Sequence, residues 1–338
     1  MSDSHSALLE MRDVSVTVRG AGGDVPVLRD VALEVGRGEL VGVVGETGAG
    51  KSFTARAVLG LLPHGAQRVS GSVVFDGTEL DKPRAYADLR GTRMGFVPQN
   101  PRLALDPVFT VGSQLVAVIR RGQRTSRKQA RARGIALLAD LGVHEPERVM
   151  RSYAHQLSGG LCQRACIAIA LANDPELVIA DEPTTGLDVT VQRQILDLLR
   201  SQLVRDGRGG LLITHDLGVI ATWCDRVAVM YAGRVVAVGP VADVLREGHP
   251  YAQGLKGIAV ALEHGVEPVA IPGTVPTPGD QIEGCAFAPR CAVATDRCRA
   301  DDPAPRPYGD QLVRCHHPVA DAELPGVGRP TRSKEVGV

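Results

Sequence analysis

The chain has 338 residues, a length that predicts roughly two domains. Its 38 basic and 38 acidic residues cancel, and no basic stretch is interleaved with aromatic residues, which argues against a nucleic-acid-binding surface. No apolar run approaches the roughly 18 residues of a membrane-spanning helix, and the N-terminus lacks the basic-then-apolar order of a signal peptide. We therefore expect a cytosolic chain.

A β-rich part with many glycines opens the chain, and its first predicted strand ends at Val18. A buried strand over residues 40–44 is followed by a helical pattern over residues 53–59. Backbone N–H groups of a glycine-rich loop at a helix N-terminus can surround phosphate oxygens, so we predict a P-loop between these two elements. The segment fits G-x-x-x-x-G-K-[ST] at every position and is followed by Phe53: Gly45, Glu46, Thr47, Gly48, Ala49, Gly50, Lys51 and Ser52.

Helical patterns dominate the next part, from about residue 91 to 157, and include residues 130–141. The segment LSGGLCQR follows at residues 157–164. Its residues Ser158, Gly159 and Gly160 open a predicted helix, and the positive end of that helix can face a phosphate.

Two carboxylates follow the apolar run of residues 177–180, at the C-terminal edge of a predicted central strand. We expect Asp181 to hold Mg²⁺ together with the Ser52 hydroxyl, and Glu182 to polarise the water that attacks a γ-phosphate. A third apolar run precedes His215, and residues 226–230 and 234–239 alternate like the strands of a hairpin.

The chain resembles the nucleotide-binding domain of ABC ATPases in four motifs and in their order. These are the P-loop of residues 45–52, called the cradle below, the segment LSGGLCQR, the run DEPTTGLD at residues 181–188, and the histidine after the third apolar run. The resemblance implies an α/β P-loop NTPase fold over residues 8–255, with a helical subdomain over about residues 91–162. It implies that Gln99 binds Mg²⁺ and senses a membrane partner, that His215 contacts the γ-phosphate, and that Asp188 links two ATP sites.

The chain has one cradle and one LSGGLCQR segment. In ABC proteins that segment completes the site of a second domain, so the resemblance implies a partner cassette. One departure concerns Val18, which stands where the family has an aromatic ring that stacks on adenine. Stacking contributes about 1–3 kcal/mol per base in nucleic-acid sites, so nucleotide affinity or selectivity is expected to be looser here unless another residue supplies the platform.

Composition changes after residue 250, with proline and glycine concentrated over residues 268–278 and four cysteines beyond them. We expect a small separate C-terminal module over residues 256–338. His249-Pro250-Tyr251 and the cysteine set resemble the extension of ATPase subunits that serve oligopeptide, dipeptide and nickel importers.

The four cysteines of this extension are expected to be metal ligands in a reducing cytosol: Cys285, Cys291, Cys298 and Cys315. Their spacing fits neither zinc ribbons nor ferredoxins, and by itself indicates only a four-thiolate site. The resemblance implies a [4Fe–4S] cluster. We expect the cluster to stabilise a module too short and proline-rich to build its own core, and Arg290 and His316 to donate hydrogen bonds to the cluster or its ligands. Zinc and free thiols are the alternatives.

The sequence thus predicts an ATP-hydrolysing motor subunit of a binding-protein-dependent importer for dipeptides or oligopeptides. Its expected partners are a second ATPase subunit in a heterodimer, two membrane permease subunits and an extracytoplasmic solute-binding protein, with the chain at the cytoplasmic face of the membrane. Nickel, an opine or an oligosaccharide are alternative solutes, and a non-transport ABC ATPase is an alternative class. A phosphate-binding kinase would lack both the LSGG sequence and a histidine in the position of His215, so a kinase is excluded.

Overall fold

A computed structural model describes residues 7–20, 22–205, 207–280 and 282–320 of the chain. The last part of the predicted C-terminal module, residues 321–338, lies outside the described residues. Within the described ranges, no helix is both long enough and apolar enough to cross a membrane.

The strands, in chain order, are β1 Leu9–Gly20, β2 Gly23–Val35, β3 Leu40–Val44, β4 Ala66–Phe75, β5 Thr78–Glu79, β6 Met94–Val97, β7 Leu177–Asp181, β8 Gly209–Ile213, β9 Arg226–Tyr231, β10 Arg234–Pro240, β11 Glu247–Gly248, β12 Arg306–Tyr308, β13 Gln311–Val313 and β14 Val319–Ala320.

The helices are α1 Lys51–Leu59, α2 Pro83–Leu89, α3 Pro101–Ala104, α4 Val111–Gly122, α5 Arg127–Asp140, α6 Pro146–Arg151, α7 Gly159–Leu171, α8 Val189–Arg205, α9 Leu217–Trp223, α10 Val241–Arg246, α11 Pro250–Glu263 and α12 Asp296–Ala300.

The central sheet contains eight of the strands that the structure describes, in the order β12-β13-β10-β9-β3-β8-β7-β6. Strands β9, β3, β8, β7 and β6 pair in parallel, and β10, β13 and β12 extend the sheet with antiparallel pairing. Every residue of β3, β7 and β8 is buried, as expected for parallel strands covered on both faces. The predicted hairpin is confirmed, since β9 and β10 pair antiparallel.

A second sheet, with the order β2-β1-β4-β5, lies against the central one. Its apolar side chains join those of α1, β3 and β8 in one buried core, in which Leu28, Val43 and Val58 are fully buried. This core anchors α1, and therefore the loop before it, between the two sheets.

Helices α3 to α7 cover the part of the chain that the sequence predicts to be helical. Polar residues fix where these helices begin, because their side chains accept hydrogen bonds from N–H groups that have no partner within the helix. Thr110 caps α4, and Ser126 with Gln129 forms a capping box at α5. The apolar faces of α4, α5 and α7 pack into a shared core with Val178 and Ala180 of β7.

The C-terminal region is joined to the central sheet through β13, which pairs with β10 at Ala237 and Val238. Strand β14 pairs with β11 in a two-stranded sheet. A third core contains Tyr231 of β9, Tyr251 of α11 and Phe287, and the rings of Tyr231 and Phe287 meet edge to face with centroids 5.2 Å apart. The described residues beyond 256 thus continue the sheet and the core of the preceding part.

Candidate functional site

The predicted phosphate cradle connects β3 to α1, and its backbone has a shape that only glycine allows. Gly48 and Gly50 have φ angles of 86° and 102°, in the left-handed region. A Cβ on Gly45 would lie 2.2 Å from the carbonyl oxygen of Met230. Because α1 begins at Lys51, the loop presents its N–H groups at a helix N-terminus, where anions are favoured.

Lys51 is the buried cation of this loop, with a residue exposure of 7%. Its Nζ donates to the carbonyl oxygens of Gly45 at 2.6 Å and Glu46 at 3.1 Å. Burial lowers the pKa of Lys51, while the carboxylates of Glu182 and Asp181 act in the opposite direction. A positive charge is therefore held inside the cradle by backbone oxygens and nearby acids.

Ser52 and Asp181 meet across the cradle, since the Ser52 hydroxyl donates to Oδ1 of Asp181 at 3.2 Å. Asp181 ends β7 and is 5% exposed. Burial raises the pKa of the Asp181 carboxyl, and the hydrogen bond from Ser52 opposes that shift. Two hard oxygen donors side by side at this point suit a divalent cation such as Mg²⁺.

Glu182, the next residue, turns the chain away from β7. Its φ of 45° lies in the left-handed region, and its N–H donates to the carbonyl oxygen of Ile213 on β8 at 2.8 Å. A non-glycine residue in this conformation is strained, and such strain is often found at functional sites. The backbone of Glu182 is thus fixed by the neighbouring strand.

The Glu182 carboxylate is contacted by three side chains. Nε2 of Gln99 donates to its Oε2 at 2.9 Å, Oγ1 of Thr185 donates to Oε2 at 3.0 Å, and Nδ1 of His215 lies 3.3 Å from Oε1. Burial works against its charge, but the contacts with His215 and Thr185 and the nearby Lys51 outweigh it, so the pKa of Glu182 lies below its usual value. A carboxylate ionised at neutral pH can accept a proton.

Sheet topology explains why these residues meet. Gln99 follows β6 and His215 follows β8. Between these strands lies β7, which ends at Asp181 and is followed by Glu182, and all three strands are parallel. Their C-terminal ends therefore share one edge of the sheet, which is where ligands bind in open α/β folds. The three sequence-predicted residues Gln99, Glu182 and His215 are brought together, beside Lys51 and Ser52.

The LSGGLCQR segment is placed elsewhere. Ser158 caps α7 by accepting from the N–H of Leu161 at 3.4 Å, and Gly160 lies near Val191 of α8. Asp188 accepts from the N–H of Val191 at 3.0 Å, and its neighbour Val189 is 82% exposed. Among the contacts of the described residues, none joins Ser158, Gly159 or Gly160 to the cradle.

One part of the site is missed by the sequence patterns. Arg290 forms a two-pronged ion pair with Glu46 of the cradle, at 2.6 and 3.0 Å, and the Glu46 N–H donates to the Tyr251 hydroxyl at 2.8 Å. The pairing joins residues 244 positions apart, so no local pattern indicates it. Arg290 is therefore turned toward the cradle, and His316 places its Nε2 against the carbonyl oxygen of Asp301 at 2.9 Å. Neither has the expected role beside a cluster.

The predicted [4Fe–4S] cluster is wrong, and so is the zinc alternative. Within the described ranges, which include all four cysteines of the extension, no group of three or more His, Cys, Asp or Glu side chains is arranged to hold a metal ion. Cys285, Cys291, Cys298 and Cys315 are free thiols. Burial raises the pKa of Cys285 and Cys291, and raises that of Cys315 to about 12, which favours the protonated thiol over the thiolate that a metal requires.

Side-chain packing, and not a metal ion, stabilises the region around the four cysteines. Phe287 is 4% exposed among Tyr231 and Tyr251, and Thr295 contacts the Cys298 sulfur at 3.4 Å. These aromatic contacts join Phe287 to residues of β9 and α11, which are distant in the sequence. The spacing of the cysteines therefore could not indicate them.

Comparison with known protein families gives two matches. Residues 28–185 match the ABC transporter family, and residues 237–298 match the C-terminal region of oligopeptide/dipeptide transporters.

Curated relatives extend the similarity over most of the chain. The oligopeptide transport ATP-binding protein OppD of Mycobacterium tuberculosis is 48% identical over 304 residues, which are 88% of this chain and 50% of that protein, so the chain spans about half the length of this relative. The probable D,D-dipeptide transport ATP-binding protein DdpD of Escherichia coli is 42% identical, over 91% of this chain and 95% of its own. The dipeptide transport ATP-binding protein DppD of Escherichia coli is 38% identical, over 96% and 99%.

Solved structures show the same fold. A dimeric ATP-binding cassette in a post-hydrolysis state with ADP and Pi bound has a TM-score of 0.63 and 27% identity, covering 69% of this chain and 98% of that one. The ATP-binding subunit of an ABC transporter has a TM-score of 0.59 and 28% identity, covering 76% and 98%.

Proposed function

Because this chain belongs to the ABC transporter family, among the ATP-binding subunits of oligopeptide and dipeptide transporters, we propose that it hydrolyses ATP to drive the import of peptides. The observation that carries the proposal is the convergence of Ser52, Asp181, Glu182, Gln99 and His215 beside one glycine-rich cradle. These residues supply a phosphate site, oxygen donors for a cation and an ionised base within one edge of a sheet.

The cradle binds the triphosphate in this proposal. The N–H groups of residues 45–53 and the Lys51 ammonium face the anion, and no side chain fills the space at Gly48, where nothing lies within 4 Å of an added Cβ. Lys51 exchanges its backbone partners Gly45 and Glu46 for phosphate oxygens. The Lys51 ammonium therefore serves to bind the phosphates and does not take part in proton transfer.

Mg²⁺ fits the donors found beside the cradle, because serine, carboxylate and amide oxygens are ligands that it prefers. Ser52, Asp181 and Gln99 would hold it. When bound, the ion neutralises charge that develops on the phosphate oxygens.

Glu182 accepts the proton of the attacking water. Its low pKa keeps it ionised, and Thr185 and Gln99 hold its orientation. His215 lies on the opposite carboxylate oxygen, so it can stabilise the same charge and contact the γ-phosphate. General-base catalysis of this kind contributes roughly 10²- to 10⁴-fold to the rate.

A second cassette completes the site. Ser158, Gly159 and Gly160 lie at the start of α7, away from the cradle of their own chain, and Val189 exposes an apolar side chain beside Asp188. Both features fit an interface with another ABC subunit, in which the N-terminus of α7 faces the partner's γ-phosphate. We propose a heterodimer, with Asp188 between the two sites.

Membrane subunits dock next to Gln99. Leu103, Val108 and Phe109, in and just after α3, are 84%, 72% and 54% exposed. An exposed group of large apolar side chains indicates an interaction surface. We assign this surface to contact with the two permease subunits, which places the chain at the cytoplasmic face of the membrane. An extracytoplasmic solute-binding protein delivers the peptide to these subunits.

The proposed domain division keeps residues 8–255 as the nucleotide-binding domain, with its helical subdomain over about 91–162, and residues 256–338 as a C-terminal extension. The match of residues 237–298 to oligopeptide/dipeptide transporters supports peptides as the solute.

Reconstituted transport tests this function. The chain, its partner cassette and the permease subunits are placed in proteoliposomes, and uptake of a labelled dipeptide is measured with phosphate release. We expect uptake that requires ATP and the solute-binding protein, its loss with Lys51→Ala, and loss of assembly with Phe109→Asp. ATP hydrolysis that no dipeptide or oligopeptide stimulates, in a complex that assembles, would contradict peptide import.

A further inference from the structure

The strongest link between the C-terminal region and the cradle is the ion pair of Arg290 with Glu46. Nη1 and Nη2 of Arg290 donate to the two carboxylate oxygens of Glu46 at 2.6 and 3.0 Å. The Arg290 side chain is 4% exposed and that of Glu46 29%. A two-pronged pair of this geometry fixes both direction and distance.

The Arg290 guanidinium is itself held in place by its surroundings. Nε donates to the carbonyl oxygen of Pro272 at 2.9 Å, Nη2 to that of Ile271 at 3.3 Å, and Nη1 to the Tyr231 hydroxyl at 3.4 Å. Its central carbon lies 5.7 Å from the centre of the Tyr231 ring. The guanidinium is therefore held in place by contacts that do not involve Glu46.

The Glu46 main chain is tied to the same region, because its N–H donates to the Tyr251 hydroxyl at 2.8 Å. Tyr251 is fully buried in α11 and packs on Tyr231 with centroids 4.8 Å apart. One residue of the cradle thus has both its backbone and its side chain bonded to residues that follow the ATP-site motifs in the chain.

The charge on Glu46 matters because of its position. It is the second residue of the cradle, and its carbonyl oxygen accepts from Lys51 Nζ at 3.1 Å. An unpaired carboxylate here would repel a triphosphate and attract the Lys51 ammonium, since screening is weak for partly buried charges. Arg290 offsets this charge by pairing with both carboxylate oxygens of Glu46.

We propose that Arg290 is a positioning residue for nucleotide binding, which neutralises Glu46 and holds the cradle open for the phosphates of ATP. Through it the C-terminal region controls the nucleotide affinity of the cassette. The proposal rests on the proposed function in one respect, namely that the cradle binds ATP.

A double-mutant cycle tests the electrostatic part. Binding of Mg-ATP to the full chain is measured by calorimetry for the wild type, Arg290→Met, Glu46→Gln and the double variant. We expect Arg290→Met to raise Kd about tenfold, Glu46→Gln to change it less than about threefold, and the double variant to return near the wild type. Arg299→Met is the matched control, because Arg299 is exposed and pairs with the exposed Asp296, and it should leave Kd unchanged.

The outcomes separate the possible roles of Arg290. A double variant as weak as Arg290→Met would show that Arg290 acts only through packing, and an unchanged Arg290→Met would show that it has no role; either result overturns the proposal. If Arg290→Met does not fold, the uncharged Arg290→Gln replaces it, and it should weaken binding in the Glu46 chain but not in the Glu46→Gln chain. A wild type that does not bind Mg-ATP would overturn the proposed function as well, whereas wild-type binding with no coupling overturns the positioning role alone.

Discussion

Gln99 donates a hydrogen bond to Glu182 at 2.9 Å, although 83 residues separate them. The bond joins the loop after β6 to the end of β7, so the proposed docking surface beside Gln99 is connected to the proposed catalytic base. A displacement of the Gln99 loop by a membrane partner would change the environment of the Glu182 carboxylate directly. This pair is a direct contact between the proposed docking surface and the proposed base.

Thr185→Val should shift the pH dependence of hydrolysis. The Thr185 hydroxyl bonds to Glu182 at 3.0 Å and helps to keep the pKa of that carboxyl below its usual value. Without the bond the pKa rises, so Glu182 becomes protonated at higher pH and the acidic limb of the kcat profile moves upward. We expect the fractional loss of kcat to be larger at pH 5 than at pH 8. Thr184→Val is the control, and an identical acidic limb in both variants would contradict the role of Thr185.

Two glycine variants separate steric conflict from backbone strain in the cradle. Gly45→Ala places a Cβ 2.2 Å from the Met230 carbonyl oxygen, whereas Gly48→Ala meets no atom within 4 Å but has a φ of 86°. We expect Gly45→Ala to lower the free energy of unfolding by about 2 kcal/mol or more, and Gly48→Ala by about 1 kcal/mol. Chemical denaturation measures both, and equal losses would show that the close approach to β9 is not maintained in solution.

His249 should make the fold sensitive to acid. It is 1% exposed, its Nδ1 accepts from the Tyr251 N–H at 3.1 Å, and burial lowers its pKa from 6.5 to about 3. The unfolded chain binds a proton near pH 6.5 and the folded chain does not, so this contribution is present above pH 6.5 and is lost as pH falls toward 3.

At pH 5 the loss from His249 amounts to about 2 kcal/mol. His249→Asn keeps a helix-capping acceptor but does not titrate, so its unfolding free energy should fall less between pH 7.5 and pH 5 than that of the wild type. Equal pH dependence in the two proteins would show that His249 is not buried in its neutral form.

Sequence patterns predicted the cradle, β3, β7 and the β9–β10 hairpin because each depends on neighbouring residues: an apolar run, a glycine spacing or an alternation. The meeting of Gln99, Glu182 and His215 also followed from the order of motifs, given the family resemblance. Arg290 and Tyr251 could not be predicted as partners of Glu46, because their contacts depend on how distant elements pack. The metal cluster, which the family resemblance implied, was wrong because the cysteine pattern that carries the resemblance does not determine how the four thiols are arranged in the fold or how deeply they are buried.

The isolated chain should hydrolyse ATP slowly. Its Ser158, Gly159 and Gly160 do not reach its own cradle, so the γ-phosphate lacks the donors that a second cassette provides. Loss of such donors typically costs about 10²- to 10³-fold in kcat. Addition of the partner cassette and permease subunits should restore the rate, and full turnover by a strict monomer would contradict the shared site.

Glu182→Gln in the assembled transporter tests the central claim most directly. The amide keeps the shape of the side chain but cannot accept a proton, so phosphate release should fall by about 100-fold or more while Mg-ATP binds as tightly as in the wild type. Lys51→Ala is the contrast, because it should weaken binding itself. Steady-state phosphate release and nucleotide affinity are measured on the same preparations. Loss of turnover with retained affinity is the predicted result, and undiminished turnover by Glu182→Gln would contradict Glu182 as the base of this ATPase.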